Sequence, residues 1–244
     1  MEPSPSEAGL PELPTFPSGM MPPPSKRVWR PFRVHKSRWF YRNGFLMMAD
    51  FEVDPVSIDV SHLVRRNVAS LYSSLVTRPT GQAVRLAIEN VLAEAVGPIS
   101  LSIIDLSQVT VIDFSCADEV VAKLLLRFLG EERPSEAFFI FRGLKELHRD
   151  PIEVVLERHA LAAVAETESG AFELLGSTSR AEEKVWAALE RRGGVGETDA
   201  DDIIPLAGAR EVLDALVGRR VVFHHPTTGQ YSALSALLGE PAES

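Results

Sequence analysis

One stretch limits what this chain can become more than any other. Between Ser100 and Asp118, Leu101, Ile103, Ile104 and Leu106 form a short apolar run, the pattern of a strand covered on both faces. Val109, Val111 and Ile112 extend the apolar edge, and then Asp113, Ser115 and Asp118 cluster. Val120, Val121, Leu124, Leu125 and Phe128 follow at helical spacing, up to Gly130. The stretch therefore reads as strand, turn and helix. Ser115, with Asp118 three residues later, is expected to cap that helix, a role worth about 1 kcal/mol. The same position favours added negative charge, because a helix begins with free N–H groups and the positive end of its dipole.

The rest of the chain fits a layered α/β fold. Phe45 to Val53 reads as a strand broken by Asp54-Pro55, and Val64, Val68, Leu71 and Leu75 have helical spacing. Thr77 or Thr80 caps a second helix carrying Val84, Ala87, Ile88, Val91 and Ala95 on one face. Ala137–Phe141, Leu161–Ala165 and Ala171–Leu175 read as strands, with a helix starting at Asp150-Pro151. Strands alternating with helices indicate some parallel pairing. After Gly176-Ser177-Thr178-Ser179 the rhythm changes. Helices are expected over Arg180–Arg192, Asp199–Leu206 and Ala207–Val217, then a hairpin of Arg220–His224 and Gln230–Leu234.

The residues from Thr77 to Glu168 resemble the STAS domain, the fold of bacterial anti-sigma factor antagonists. In that family a strand ends in an Asp, a second strand-end Asp follows about eight residues later, and a short Ser-rich turn opens a helix. Asp105 and Asp113 match the two acids, and Ser115 matches the serine that a partner kinase phosphorylates in signalling members. The family's usual Asp-Ser-Ser-Gly-Leu-Gly is here Asp113-Phe114-Ser115-Cys116-Ala117-Asp118, closer to the divergent STAS-like domains of unknown function. Arg78 resembles the Arg that begins the first helix in that group. The carboxyl-terminal pattern of three short helices and a hairpin resembles a winged helix. The expected organisation is a disordered proline-rich tail (1–25), a basic and aromatic arm (26–44), a STAS-like α/β domain with a mixed sheet (45–176), and a small winged-helix-like α+β domain (177–244).

The resemblance implies a regulatory protein that works by protein contact. Its partner would be an anti-sigma or histidine-kinase-like ATPase, with the ATP belonging to the partner. Ser115 is the phosphoacceptor candidate, and Asp105, Asp113, Cys116 and Asp118 are the docking candidates around it. Ser115 as a cap alone and Ser115 as a switch both remain open. A cysteine in the first turn of a helix can be reactive, but a small buried cysteine replacing the family's Gly is the ordinary case. Asp105 and Asp113 can pair for acid–base work, or simply accept loop N–H groups.

Charge supplies the competing reading. Seven of the chain's 25 bases (Lys26, Arg27, Arg30, Arg33, Lys36, Arg38 and Arg42) lie in one segment with no acid and five aromatic residues, while 34 acids lie elsewhere. Such a segment can track a phosphate backbone, sit on an anionic surface, or fold onto the chain's own acidic surface. With Arg210, Arg219 and Arg220 it makes a DNA-binding regulator the alternative, although the winged-helix-like region holds more acids than bases. A small-ligand module is a third reading, for which the sequence offers no specific pocket residue.

The chain is not expected to be an enzyme. It has no Gly-rich phosphate loop, and its six histidines lack metal-ligand spacing, so neither cofactor nor metal is expected. One cysteine excludes an internal disulfide, no apolar run reaches bilayer length, and the amino terminus lacks a secretory pattern. A cytoplasmic location is expected.

Overall fold

In a computed structural model of the chain, residues 40–42, 45–47, 54–59, 74–94 and 99–238 are described. The chain divides into two compact units, Met1–Ala49 and Asp50–Ser244. In the first, β1 (Phe40–Arg42) and β2 (Phe45–Met47) pair antiparallel, with Arg42 opposite Phe45. The sequence between them, Asn43-Gly44, is a common hairpin signal, though the two residues themselves lie outside the described ones. The proline-rich tail lies outside the described residues, as do Lys26, Arg27, Arg30, Arg33, Lys36 and Arg38.

The second unit begins with β3 (Asp54–Asp59), β4 (Ser74–Leu75) and α1 (Arg78–Ala93). Next come β5 (Ile99–Asp105), β6 (Val111–Ile112) and α2 (Phe114–Ala117). A π-helical segment (Asp118–Lys123) joins α2 to α3 (Leu124–Leu129). β7 (Glu136–Leu144), α4 (Glu146–Arg158), β8 (Ala162–Thr167) and β9 (Phe172–Gly176) follow. The main sheet has the order β3-β5-β7-β8-β9; its first four strands are parallel and β9 is antiparallel. The fold is thus α/β with a mixed sheet.

Three expectations need correction. Asp54-Pro55 lies within β3 and does not break a strand. Among the described residues β3 is an edge strand, a position where proline is tolerated. The helix expected to start at Asp150-Pro151 starts at Glu146, and Pro151 is buried inside it. Leu75 belongs to β4 and not to a helix, while residues 61–73 lie outside the described residues.

Strand alternation divides the core between the two faces of the sheet. On the front, Ile104, Phe139 and Phe141 pack with Ile88, Val120 and Phe128 of the helices. On the back, Leu101, Phe138, Ile140 and Val164 share one core with Val185, Trp186, Leu189 and Leu213 from the carboxyl-terminal segment. That segment comprises α5 (Arg180–Arg192), β10 (Gly194–Gly196), α6 (Ala200–Ile203), α7 (Ala209–Gly218), β11 (Val222–His224) and β12 (Gln230–Ala233). Its antiparallel sheet has the order β10-β12-β11.

Local chemistry explains the segment. Ser179 and Glu182 form a reciprocal capping box at the start of α5. Gly193, at φ 77°, ends it in a conformation that favours glycine. Trp186 donates its indole N–H to the Val221 carbonyl at 3.3 Å, and Phe138 meets Phe223 edge to face. The segment is therefore fastened to the back of the sheet by an apolar core.

Candidate functional site

The site grows from the turn between β6 and α2. β6 pairs in parallel with β4, placing Leu75 beside Ile112, and the Asp113 N–H donates to the Leu75 carbonyl. Asp113 then caps α2: its Oδ1 accepts the Cys116 N–H at 2.8 Å and the Ser115 hydroxyl at 2.9 Å. The cap expected at Ser115 is therefore two residues earlier. Ser115 sits in the first turn and turns its hydroxyl toward the capping carboxylate. It is only partly buried.

Cys116 is fully buried and donates its thiol to the Thr77 carbonyl at 2.9 Å. Burial and the Asp113 charge push its pKa up to about 12. It is an inert packing residue and offers no surface to a partner, contrary to its expected docking role. Gly81 lies close behind it; a Cβ there would stand 2.9 Å from the Cys116 Cα and 3.1 Å from the Glu119 Cβ. α1 and α2 thus cross at a contact that only glycine permits. Thr77 caps α1, as expected, accepting the Thr80 N–H at 3.4 Å.

The next turn holds charges that sequence reading did not bring together. Asp118 and Glu119 open the π-helical segment, and both are buried. Asp118, expected at the docking surface, is instead bound within the protein: Arg78 donates to it at 2.9 Å and His159 Nε2 lies 2.8 Å away. Glu119 receives Arg78 at 3.0 Å, Arg85 at 3.3 Å and Lys123 at 2.5 Å. Burial opposes both charges. For Asp118 the His159 and Arg78 hydrogen bonds outweigh it, and for Glu119 those of Lys123 and Arg78 do, so both carboxyls lie below their ordinary pKa range. The sequence signal available was Glu119 four residues before Lys123, an ordinary helical ion-pair spacing. Nothing in it marked the π-helical register, a feature often found at functional sites.

Asp105 ends β5 and accepts the Ser107 N–H at 2.8 Å, the loop-satisfying role and not an acid–base pair with Asp113. Three apolar side chains flank the Ser115 turn: Val76 is 49% exposed, Val111 40% and Phe114 50%. The β4–β6 register sets Ser74 beside Val111, and Val76 directly follows β4. Leu147, 70% exposed, lies on α4, which packs against β6 and α2.

Of the cations expected to read DNA, the three among the described residues are held by carboxylates. Arg210 pairs with Glu197, Arg219 with Glu182, and Arg220 with Glu136 while stacking over Phe138. Among the described residues no three His, Cys, Asp or Glu side chains gather as they would to hold a metal ion. Among the same residues no helix is long and apolar enough to cross a membrane. No protein-family model, curated protein or solved structure matches the chain.

Proposed function

We propose that this chain is a non-enzymatic regulatory protein that acts by protein contact, in the manner of an anti-sigma factor antagonist. Its docking face is the surface around the amino end of α2, and Ser115 is its phosphorylation switch. The partner is an ATP-binding anti-sigma or histidine-kinase-like protein in the cytoplasm. On this reading the sheet with its front helices is the STAS-like part and the carboxyl-terminal segment the winged-helix-like part. The carrying observation is the exposed apolar group Val76, Val111 and Phe114 around a serine whose hydroxyl is held by the Asp113 cap. Single exposed apolar residues are commonplace, but a cluster beside a modifiable hydroxyl is a recognition surface.

The DNA-binding alternative is weakened by the pairing of Arg210, Arg219 and Arg220 with carboxylates, since phosphate contact requires cations free to displace counterions. α7 adds exposed Glu211 and Asp214 to the same surface.

A pull-down from native lysate tests the proposal, with wild type, Ser115→Ala, Ser115→Asp and Phe114→Ser as baits. A kinase-like ATPase should be held by wild type and Ser115→Ala and lost with Ser115→Asp and Phe114→Ser. Equal retention by all four baits would remove the α2 turn from the binding surface.

A further inference from the structure

We propose that Arg78 is the receiver for a phosphoryl group on Ser115, exchanging its buried carboxylate partners for the phosphate. The inference rests on the switch reading of Ser115 and adds to it the group that senses the modification.

Three observations meet at this point. Ser115 lies three residues before Asp118 and four before Glu119, across the junction from α2 into the π-helical segment, so the three stand within about one helical turn of each other. Helical side chains lean toward the amino terminus, which brings both carboxylates back toward the level of Ser115. Arg78 bridges these two carboxylates through one nitrogen, at 2.9 and 3.0 Å, and its side chain is still 52% exposed. The neighbours of the two residues also touch, since the Cys116 thiol donates to the Thr77 carbonyl. The guanidinium is therefore tethered about one turn from Ser115, with open solvent through which to move.

Arg78 can leave without stranding a buried charge. Asp118 keeps His159 and has Lys123 at 3.6 Å, while Glu119 keeps Lys123 and Arg85. Three cations, Arg78, Arg85 and Lys123, meet three acids, Asp118, Glu119 and the Arg85 partner Glu89, and Arg78 is the most exposed of the cations. A phosphate offers it a bidentate partner that the shared carboxylates do not.

Transfer forms the Ser115 Oγ–P bond and breaks the bond to the γ-phosphoryl of a partner-bound ATP, releasing ADP. The hydroxyl proton passes to solvent by way of Asp113, which already accepts it. The phosphate then faces the Asp113 charge that caps its own helix and the Asp118 charge at the start of the π-helical segment. From α1 it faces Arg78, from the π-helical segment Glu119 and Lys123, and beyond them His159. Asp113 and Asp118 alone would raise its second pKa above the ordinary value of about 6. Capture by Arg78 lowers it. The two arrangements differ in sign.

The test uses the full chain carrying genetically encoded phosphoserine at Ser115, followed by phosphorus NMR across pH. The same modification at the exposed Ser169 is the reference. Capture predicts a second pKa at Ser115 about 1 below the reference. It also predicts a value above the reference in Arg78→Ala and an intermediate one in Arg78→Lys. The wild-type comparison stands alone should Arg78→Ala fail to fold. A wild-type value at or above the reference, or a depression that survives Arg78→Ala, overturns the inference. No partner enters the titration, so its result is independent of the pull-down that tests the switch itself.

Discussion

The two faces of the main sheet are built on opposite principles. The back face meets its layer through Leu101, Phe138 and Ile140 against Trp186, Leu189 and Leu213, and its charged pairs, Arg219–Glu182 and Arg220–Glu136, are contacts beside that core. The front layer also has an apolar core, yet it buries Asp118 and Glu119 in a π-helical segment and leaves Phe114 exposed beside them. Burying a carboxylate is costly unless partners surround it, and a buried ion pair seldom adds more stability than apolar residues of the same size. The back face thus reads as a fastening. The front face retains a costly charge cluster behind a serine, where specificity or switching explains it better than stability.

Trp186→Ala should produce the largest effect, a loss of about 3–5 kcal/mol in urea unfolding, because the indole fills the centre of the back core. If it costs under 1 kcal/mol, the back layer is no fastening. Glu119→Ala should cost about 2–3 kcal/mol, below the full value for a broken buried pair because Arg78 and Lys123 can reach solvent. A neutral result would make the front cluster ornamental and erase the contrast. Gly81→Ala should cost roughly 1–3 kcal/mol through the close contact with the Cys116 backbone.

Acid should separate the two layers further. Burial lowers the His148 pKa, so its contribution is present above about pH 6.5 and is lost as pH falls through the folded value. Asp118 and Glu119 have lowered folded values, so their contribution is complete above about pH 4 and disappears below it. All three lie in the front layer. Behind the sheet, Glu182 and Glu136 also have lowered values and lose their contribution in acid, while the buried Glu190 carboxyl has a raised value and is relieved by protonation. Hydrogen exchange at pH 3–4 should therefore open amides of α2 and α4 before those of α5; simultaneous opening would show that the layers lose stability together. Phe114→Ser should shift the unfolding midpoint least, within about 0.5 kcal/mol, because the ring is half exposed. Its effect belongs in the pull-down.

Much of this architecture could be read from residues alone. β5 follows from its continuous apolar run, and α5 from its periodic Val185, Trp186 and Leu189 closed by Gly193-Gly194. The errors have physical causes. Asp-Pro is a strand breaker only where a neighbour needs the missing N–H, and β3 is an edge strand among the described residues. Two acidic or hydroxylic residues near a helix start can each cap it, and Asp113 prevailed because its carboxylate reaches both the Cys116 N–H and the Ser115 hydroxyl. Asp118 was expected at a docking surface and Glu119 drew no expectation; their burial depends on α1 delivering Arg78 and Arg85 from about forty residues upstream. The docking of α5 and α7 on the sheet was equally hidden, since an amphipathic pattern gives a helix its buried side and not the identity of what covers it.

That back layer also has a consequence for synthesis. The main sheet is complete once β9 ends at Gly176, but the cover for Leu101, Phe138, Ile140 and Val164 is encoded entirely after it. A nascent chain stalled between these points presents a broad sticky surface, the kind that chaperones shield and proteases find. A fragment ending at Gly176 would carry every strand of the main sheet and still be expected to precipitate.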